Sequence, residues 1–310
     1  MNGVVTLGET MALLTVPASG RVAARAVLGI GGAESNVAIA LARLGVPATW
    51  LGRLGDDALG ALVTREIRAE GVTAPTSPDP DAPTGMMVKE QRAGGPARVR
   101  YYRRGSAASR MTPADVDEAA VAAADVLHVT GITPALGPGP RAAVEHAVAV
   151  ARRADTLVSF DVNHRSTLWS DEEAAPVLAS LAARADLVFA GTEEARLVLG
   201  RGGSDEDLAV GLAALGPATA VVKLGERGAL ARHAGRTLHA PTRPARVVDA
   251  VGAGDAFVGG YLSELVAGAG VERCLRMGNT VGGFVVGVPG DWEGLPTRAD
   301  LAAPVAEVVR

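Results

Sequence analysis

The sequence predicts an α/β fold, with a mostly parallel β-sheet flanked by helices and a small β-sheet lid. Short apolar runs of strand length alternate with longer segments of helical periodicity, a pattern typical of a parallel sheet covered on both faces. Two pairs of shorter segments interrupt this rhythm at about 11–29 and 84–104. With 310 residues, of which 48% are hydrophobic, the chain can bury one large core, so we expect a single domain over 1–310.

The strands and helices of the main sheet can be placed in chain order. Each strand segment is short and mostly apolar, as expected of a strand buried on both faces. The segments are strand Val4–Leu7, helix Ala33–Leu44, strand Thr49–Leu54, helix Asp57–Glu70, and strands Val126–Val129, Leu157–Phe160, Leu187–Ala190 and Ala220–Leu224. Ligands bind beyond the carboxyl ends of such strands, so we expect the site in the loops that follow them.

The lid is predicted from short segments in which polar and apolar residues alternate. Met11–Val16 pairs with Arg21–Gly29, and Thr84–Glu90 pairs with Arg98–Arg104. Turns rich in glycine and proline, such as Ala93–Pro96, join them. Because the two halves are separated in sequence, we expect the lid to be an insertion into the main domain.

Composition excludes several classes of partner. A net charge of -4 and a pI near 5.8 provide no basic surface for nucleic acid or an anionic membrane. We expect no membrane span, because no apolar stretch reaches about 18 residues without a charge or a breaker. The single cysteine, Cys274, and an amino terminus that lacks a basic leader predict a cytoplasmic protein. The five histidines show no metal-ligand spacing, which argues against a transition-metal site.

The most informative motif is Asp249–Gly260, a turn of small residues that runs directly into an apolar helix. Glycine lets the backbone approach an anion closely, and the helix start adds a partial positive charge. With Asp255 in the first turn, the motif suggests phosphoryl transfer beside a carboxylate. A helix cap by Asp255 is equally compatible with these residues. A dinucleotide-binding turn is disfavoured, because Phe257 stands where that motif needs a third glycine.

A second glycine turn, Gly29–Ala38, also runs into a helix and carries Asn36 near its start. An exposed backbone next to an amide that donates and accepts suits recognition of a polyhydroxyl compound, although an ordinary helix start fits as well. A Walker A phosphate loop is excluded. Neither Lys89 nor Lys223 follows the required glycine spacing or precedes serine or threonine.

With both glycine motifs in this order, the chain resembles the ribokinase-like family of sugar kinases, also called PfkB carbohydrate kinases, from about Val4 to Pro296. The resemblance implies a Rossmann-like domain that binds ATP and Mg²⁺, with a β lid over the sugar. It implies that Asp255 deprotonates the acceptor hydroxyl. The implied anion hole is formed by the amides of Gly252, Ala253 and Gly254. The implied nucleotide contacts are Lys223, Gly225, Gly252, Gly254 and Asn279.

One departure from the family concerns the metal. Many relatives carry Asn-x-x-Glu after the strand that ends here at Ala190, whereas this chain has Gly191 in place of the asparagine. Glu194 retains the acid that is expected to organise water around Mg²⁺. The resemblance leaves a monovalent-cation requirement open and is compatible with a homodimer formed through the lid.

The segments Tyr101–Ser109 and Phe160–Arg165 bear on the identity of the sugar. Two-residue alternation places Tyr102 and Arg104 on one face of a strand, with Tyr101 and Arg103 on the other. Arg165 lies in the loop that follows the carboxyl end of a buried strand. Two arginines that converge on a sugar favour an acid, because a guanidinium binds a carboxylate through two parallel hydrogen bonds.

These segments, together with Gly8–Met11, resemble the 2-keto-3-deoxygluconate kinase branch of the family. The implied sugar contacts are Gly32, Asn36, Lys89, Tyr102, Arg104, Arg165 and Asp255. The expected reaction is transfer of the γ-phosphoryl group of ATP to the primary hydroxyl of 2-keto-3-deoxygluconate. Two alternatives stay open: a kinase for a neutral sugar such as fructose or ribose, and a non-catalytic sugar-binding protein on the same fold.

Overall fold

The computed structural model describes residues 2–16, 26–92, 95–242 and 247–303. Within these ranges the chain forms a nine-stranded sheet flanked by helices and a separate four-stranded sheet, which confirms the predicted fold. None of the helices in these ranges is both long and apolar enough to cross a membrane.

The strands are β1 (Val4–Leu7), β2 (Met11–Val16), β3 (Val27–Gly31), β4 (Ala48–Gly55), β5 (Thr76–Asp79), β6 (Met86–Arg92), β7 (Gly95–Tyr102), β8 (Val126–Thr130), β9 (Leu157–Asp161), β10 (Leu187–Gly191), β11 (Thr219–Lys223), β12 (Ala229–His233) and β13 (Arg236–Ala240). The helices are α1 (Ala33–Arg43), α2 (Ala58–Ala69), α3 (Glu118–Ala123), α4 (Pro138–Arg153), α5 (Asp171–Arg184), α6 (Thr192–Leu199), α7 (Asp205–Ala213), α8 (Ala253–Val266), α9 (Val271–Val285) and α10 (Arg298–Ala302).

The large sheet has the strand order β13-β12-β11-β10-β9-β8-β1-β4-β5. Neighbours from β11 to β5 are parallel, and β12 and β13 add an antiparallel hairpin at one edge. The sequence interpretation missed this hairpin, because its strands mix charged and apolar residues. Its two-residue loop, Ala234-Gly235, has positive φ at both positions, and a glycine between two short alternating runs is a usable hairpin signal.

Both faces of the large sheet are buried, as the apolar strand runs predict. Successive strand residues point to opposite faces, so Phe189 packs into one core and Val188 into the other. The first core includes α1, α8 and α9, with Trp50 and Tyr261 fully buried. Cys274 lies in this core on α9.

Helix starts explain small shifts from the predicted bounds. The predicted helix Asp57–Glu70 begins one residue later, because Asp57 is its cap and its Oδ1 accepts the Gly60 N–H at 2.7 Å.

The lid is the four-stranded sheet, in the order β3-β2-β6-β7. It has a small core of its own, formed by Met11, Leu13 and Met87 with Val99. The strand predicted at Arg21–Gly29 is observed as β3, and 17–25 and 93–94 lie outside the described residues. Strand β2 follows β1 after only three residues, so the lid is attached directly at the carboxyl ends of the main strands.

Candidate active site

A pocket of about 530 Å³ opens between the lid and the carboxyl ends of the parallel strands. The lid contributes Met87 and Tyr101, among others, while Asn163, Gly191 and Lys223 come from the ends of β9, β10 and β11 or the loop just beyond. The glycine motifs also meet here, since Gly32, Gly252 and Gly254 all line the pocket. Segments far apart in sequence thus converge where a parallel sheet places its ligands.

The 249–254 turn presents backbone to the pocket. Gly252 caps α8 in the left-handed conformation, with φ at +78°. A Cβ on this residue would lie 1.8 Å from the carbonyl oxygen of Asp291, so only glycine fits. The first amides of a helix have no partner within the helix, and at this site they adjoin the pocket. The turn therefore has the geometry of an anion site.

Asp255 is held by two side-chain amides. Its Oδ2 accepts a hydrogen bond from Asn36 Nδ2 at 2.8 Å, and its Oδ1 accepts one from Asn163 Nδ2 at 3.5 Å. Asp255 makes no capping hydrogen bond to α8, whose cap position is Gly252. The structure therefore favours a pocket carboxylate over a helix cap.

The pKa of Asp255 is raised to about 7. Burial is the main cause, since only 8% of the residue is exposed, and Asp161 acts in the same direction. The hydrogen bond from Asn36 and the positive charges of Arg165 and Lys223 oppose the rise without cancelling it. A carboxylate with a pKa near the working pH is suited to general-base chemistry.

This pKa predicts a pH dependence. If the ionised form of Asp255 is the active base, kcat/KM should fall as the pH decreases through about 7, and it should level off above that value. A pH–rate profile at saturating ATP checks this expectation. An acid limb near pH 4, the range of an ordinary carboxyl group, would contradict it.

Lys223 lies beside the 249–254 turn, with its Nζ 3.6 Å from the position of a Cβ on Gly254. It donates to both carboxylate oxygens of Asp161, at 2.8 and 2.7 Å. Burial opposes its charge, but Asp161 and Glu194 outweigh this effect and raise the pKa of Lys223. The ammonium has three N–H donors, so one is left for an anion on the turn.

Arg165 carries an exposed guanidinium at the pocket. Its Nη1 donates to the carbonyl of the adjacent His164 at 3.3 Å. Arg103 also lines the pocket, but its charge is neutralised by an ion pair with Glu9. Among the described residues, Arg165 is the pocket arginine that makes no ion pair.

Comparison with known proteins identifies the family. A family model described as pfkB family carbohydrate kinase matches residues 1–298, nearly the whole chain. The chain belongs to the PfkB family of carbohydrate kinases. It is therefore an ATP-dependent carbohydrate kinase, as the two glycine motifs predict.

Individual relatives cover almost the full length of this carbohydrate kinase. The 2-dehydro-3-deoxygalactonokinase of Haloferax volcanii is 40% identical over 291 residues, covering 93% of this chain and 92% of the relative. The 2-dehydro-3-deoxygluconokinase of Bacillus subtilis is 37% identical over 306 residues, covering 96% of this chain and 94% of the relative. The crystal structure of a PfkB protein from Polaromonas sp. JS666 superposes with a TM-score of 0.88 at 37% identity and covers 97% and 99% of the two chains.

The prediction of which side of lid strand β7 faces the pocket requires a correction. Tyr102 and Arg104 were predicted to face the sugar, but both are exposed outside the pocket, and Tyr101 and Arg103 line it instead. The register explains the difference. Tyr101 lies opposite Met87, and residues paired across two strands share a face. Because Met87 faces the pocket, Tyr101 does too.

The predicted role of Lys89 also requires a correction. The prediction placed it in contact with the sugar, but its side chain is only 2% exposed and does not line the pocket. Its ammonium is bound instead to the carboxylates of Asp249 and Asp291.

The remaining predicted residues to be located are Gly225, Asn279 and Glu194. Gly225 starts a short 3₁₀ turn after β11, and Asn279 on α9 donates its Nδ2 to the carbonyl oxygen of Ala240 at 2.7 Å. Gly228, at the end of the 225–227 turn, packs against the same Ala240 carbonyl. Glu194 lines the pocket and accepts N–H bonds from Gly191 at 2.6 Å and from His164 at 3.0 Å.

The sequence interpretation missed several residues that line the pocket. Asn163, which supports Asp255, has φ at +37° and lies two residues after the end of β9, where polar residues after an apolar strand are a usable signal. Glu9 follows β1 in the same way. Glu34 lies deeper, and its Oε1 accepts hydrogen bonds from Thr130 and Thr133, a contact that no local pattern could show.

Proposed function

We propose that this kinase transfers the γ-phosphoryl group of ATP to the primary hydroxyl of a 2-keto-3-deoxy sugar acid such as 2-keto-3-deoxygluconate. The observation that carries the proposal is the placement of Asp255. It is a buried carboxylate with a raised pKa, held by two amides, in the first turn of a helix whose start faces the same pocket. This arrangement puts a base and an anion site next to each other.

The residues suggest the following reaction. Asp255 accepts the proton of the primary hydroxyl, whose oxygen attacks the γ-phosphorus. The new P–O bond forms as the bond from the γ-phosphorus to its bridging oxygen breaks, and ADP leaves. The amides of Gly252, Ala253 and Gly254 would stabilise the charge on the transferring group. Asn36 and Asn163 keep the carboxylate oriented throughout.

The nucleotide would extend from the turn toward β11 and α9. The free N–H of Lys223 would bind a phosphate oxygen, because the other two donors are occupied by Asp161. Gly225 and Asn279 would border the rest of the nucleotide, and both stay predictions.

The residues present fit a Mg²⁺ ion that is carried by the nucleotide. Each carboxylate oxygen of Glu194 accepts one backbone N–H and keeps a lone pair for water. No cluster of three or more potential metal ligands occurs among the described residues, so the protein would contact the ion through Glu194 and water. Bound there, Mg²⁺ would neutralise phosphate charge. A monovalent-cation requirement stays a prediction.

The acidic substrate class is supported by Arg165. A guanidinium without an ion pair in a pocket can bind a carboxylate bidentately, which a neutral sugar would not use. The names of the two curated relatives also denote kinases of 2-dehydro-3-deoxy sugar acids, one of the gluco and one of the galacto series.

Replacing Arg165 with alanine should raise KM for the sugar acid by about 10- to 100-fold, since hydrogen bonds to charged groups contribute about 1.5–3 kcal/mol. KM for a neutral ketose should change little. Arg104→Ala is the matched control, because this arginine is exposed outside the pocket. Equal effects of Arg165→Ala on both substrates would argue against carboxylate recognition.

A coupled assay of ADP release with 2-keto-3-deoxygluconate, its galacto epimer, fructose and ribose tests the function itself. We expect turnover with the acids. Preference for fructose or ribose would replace the proposal with a neutral-sugar kinase, and absence of sugar-dependent ADP release would indicate a binding protein.

Dimer formation through the lid also stays a prediction. It is supported by the edge strand β3, where Val27 is 68% and Leu28 is 49% exposed. Exposed apolar side chains at a sheet edge are typical of an interaction surface.

A further inference from the structure

Lys89 connects the lid to the 249–254 turn through a buried ion-pair triad. It lies on lid strand β6, and its Nζ is 2.5 Å from Asp249 Oδ2 and 2.9 Å from Asp291 Oδ1. The Lys89 side chain is almost fully buried, although the pocket is only a short distance along the same strand, at Met87. A single ammonium thus joins three segments that are distant in sequence.

Both carboxylates of the triad also shape the turn. Asp249 Oδ1 accepts the N–H of Val251 at 3.2 Å, and its Oδ2 accepts that of Gly290 at 3.4 Å. The carbonyl of Asp291 packs directly against Gly252, in the space that a Cβ would occupy. Any movement of Asp249 or Asp291 would therefore be transmitted to the backbone that caps α8.

The charge balance gives the lysine a second role. Asp249 and Asp291 bring two negative charges close to a turn that is to receive a phosphate, and Glu293, which accepts the Asp291 N–H at 2.9 Å, adds a third nearby. Without a cation these charges would repel the incoming anion through a poorly screened interior. Lys89 is the cation that contacts two of them.

We propose that Lys89 is a positioning residue, whose ion pairs with Asp249 and Asp291 hold the 249–254 turn in its anion-binding shape and tie that shape to the lid. The inference rests on the proposed function in one respect, that the turn binds the transferring phosphoryl group. Lys89 acts through the turn and does not contact the sugar.

The kinetic test is Lys89→Met, which keeps the apolar stem and removes the charge. We expect kcat to fall by about 10- to 100-fold, as for a misplaced catalytic group, while KM for the sugar acid changes less than about threefold. Arg100→Ala is the matched control on the neighbouring lid strand. The pair that Arg100 forms with Glu90 is exposed, so this substitution should leave both constants unchanged. A raised KM with normal kcat would overturn the proposal and make Lys89 a substrate contact.

A second test uses the ligand-free protein and does not depend on the substrate. Hydrogen exchange of the Val251–Asp255 amides and of strand β6 should accelerate together in Lys89→Met, while exchange in the distant β12–β13 hairpin stays as in the wild type. Unchanged exchange in the turn would overturn the proposal. If the wild type phosphorylates no sugar acid, the proposed function fails, whereas this measurement still decides the role of Lys89.

Chemical rescue separates positioning from a general contribution to folding. In Lys89→Ala, added ethylammonium should restore kcat at least several-fold by replacing the missing cation between the carboxylates, and equal concentrations of ethanol should not. Restoration by neither compound would count against the proposal.

Should the Lys89 variants fail to fold, Asp291→Asn keeps the Lys89–Asp249 pair and should still lower kcat and accelerate exchange in the turn. Wild-type values for both would overturn the proposal.

Discussion

Replacing Asp255 with asparagine is expected to lower kcat by about 10²- to 10⁴-fold, the usual contribution of a general base. Asparagine has nearly the same shape and can still accept the 2.8 Å hydrogen bond from Asn36. Of these two contacts it loses only the longer 3.5 Å bond from Asn163, so the pocket should keep its overall geometry. What it loses is the ability to accept the proton of the attacking hydroxyl.

The measurement is steady-state turnover together with ATP binding by calorimetry. ATP affinity should stay within a few-fold of the wild type, because the amides of the turn and Lys223 are unchanged. A kcat within tenfold of the wild type would contradict the assignment of Asp255 as the base. A parallel loss of ATP binding would indicate a misfolded turn instead.

The same substitution should stabilise the ligand-free protein near neutral pH. In the folded state the pKa of Asp255 is raised from 3.8 to about 7, so between these values the folded protein retains a proton that the unfolded chain releases. The free energy of unfolding contributed by this group therefore falls as the pH rises from about 4 to about 7. Asparagine does not titrate, so the variant lacks this dependence. The free energy of unfolding of the variant should therefore exceed that of the wild type by an amount that grows over this pH range and levels off above it.

Replacing Gly252 with alanine is expected to lower kcat by about 10²- to 10³-fold, comparable to the loss of one oxyanion-hole donor. The new Cβ would lie 1.8 Å from the Asp291 carbonyl oxygen, a clash with backbone that forces either the turn or the 291 segment to move. Either movement would displace the amides that we propose bind the phosphoryl group.

Gly268→Ala provides a matched control for this variant. Gly268 follows the other end of α8 and has φ at +77°, almost identical to Gly252, but no atom of the described residues beyond its chain neighbours lies within 4 Å of its Cβ position. It should therefore show only the cost of a left-handed alanine, about 1–2 kcal/mol in the free energy of unfolding, with normal kcat. If both variants lose activity equally, backbone strain and not the clash would be responsible.

Six strands of the main sheet could be predicted because each is a short, mostly apolar run, whereas the edge strand β5, Thr76–Asp79, lacks such a run and was not predicted. The turn at Gly252 could be predicted because glycines directly before an apolar helix are typical of a backbone turn at a helix start. The edge hairpin β12–β13 was missed, since strands that are half exposed lack such a run.

The face of a lid strand was harder to predict. Alternation shows that Tyr101 and Arg103 share one side and that Tyr102 and Arg104 share the other, but both sides carry the same residue types. The choice depends on pairing with β6, which places Tyr101 opposite Met87 and so toward the pocket. A shift of one residue in register would have exchanged the two sides.

By itself, the sequence determined the fold class and the glycine turn at Gly252, because local spacing and backbone requirements specify these features, but its residues left Asp255 open between a helix cap and a pocket carboxylate. Only the tertiary structure decided what each charged side chain does. Lys89 forms ion pairs with the carboxylates of Asp249 and Asp291, and Arg103 forms one with Glu9. Arg165 makes no ion pair among the described residues. The physical reason is that a charge acts through partners contributed by distant segments, and their positions exist only after the sheet and lid have assembled.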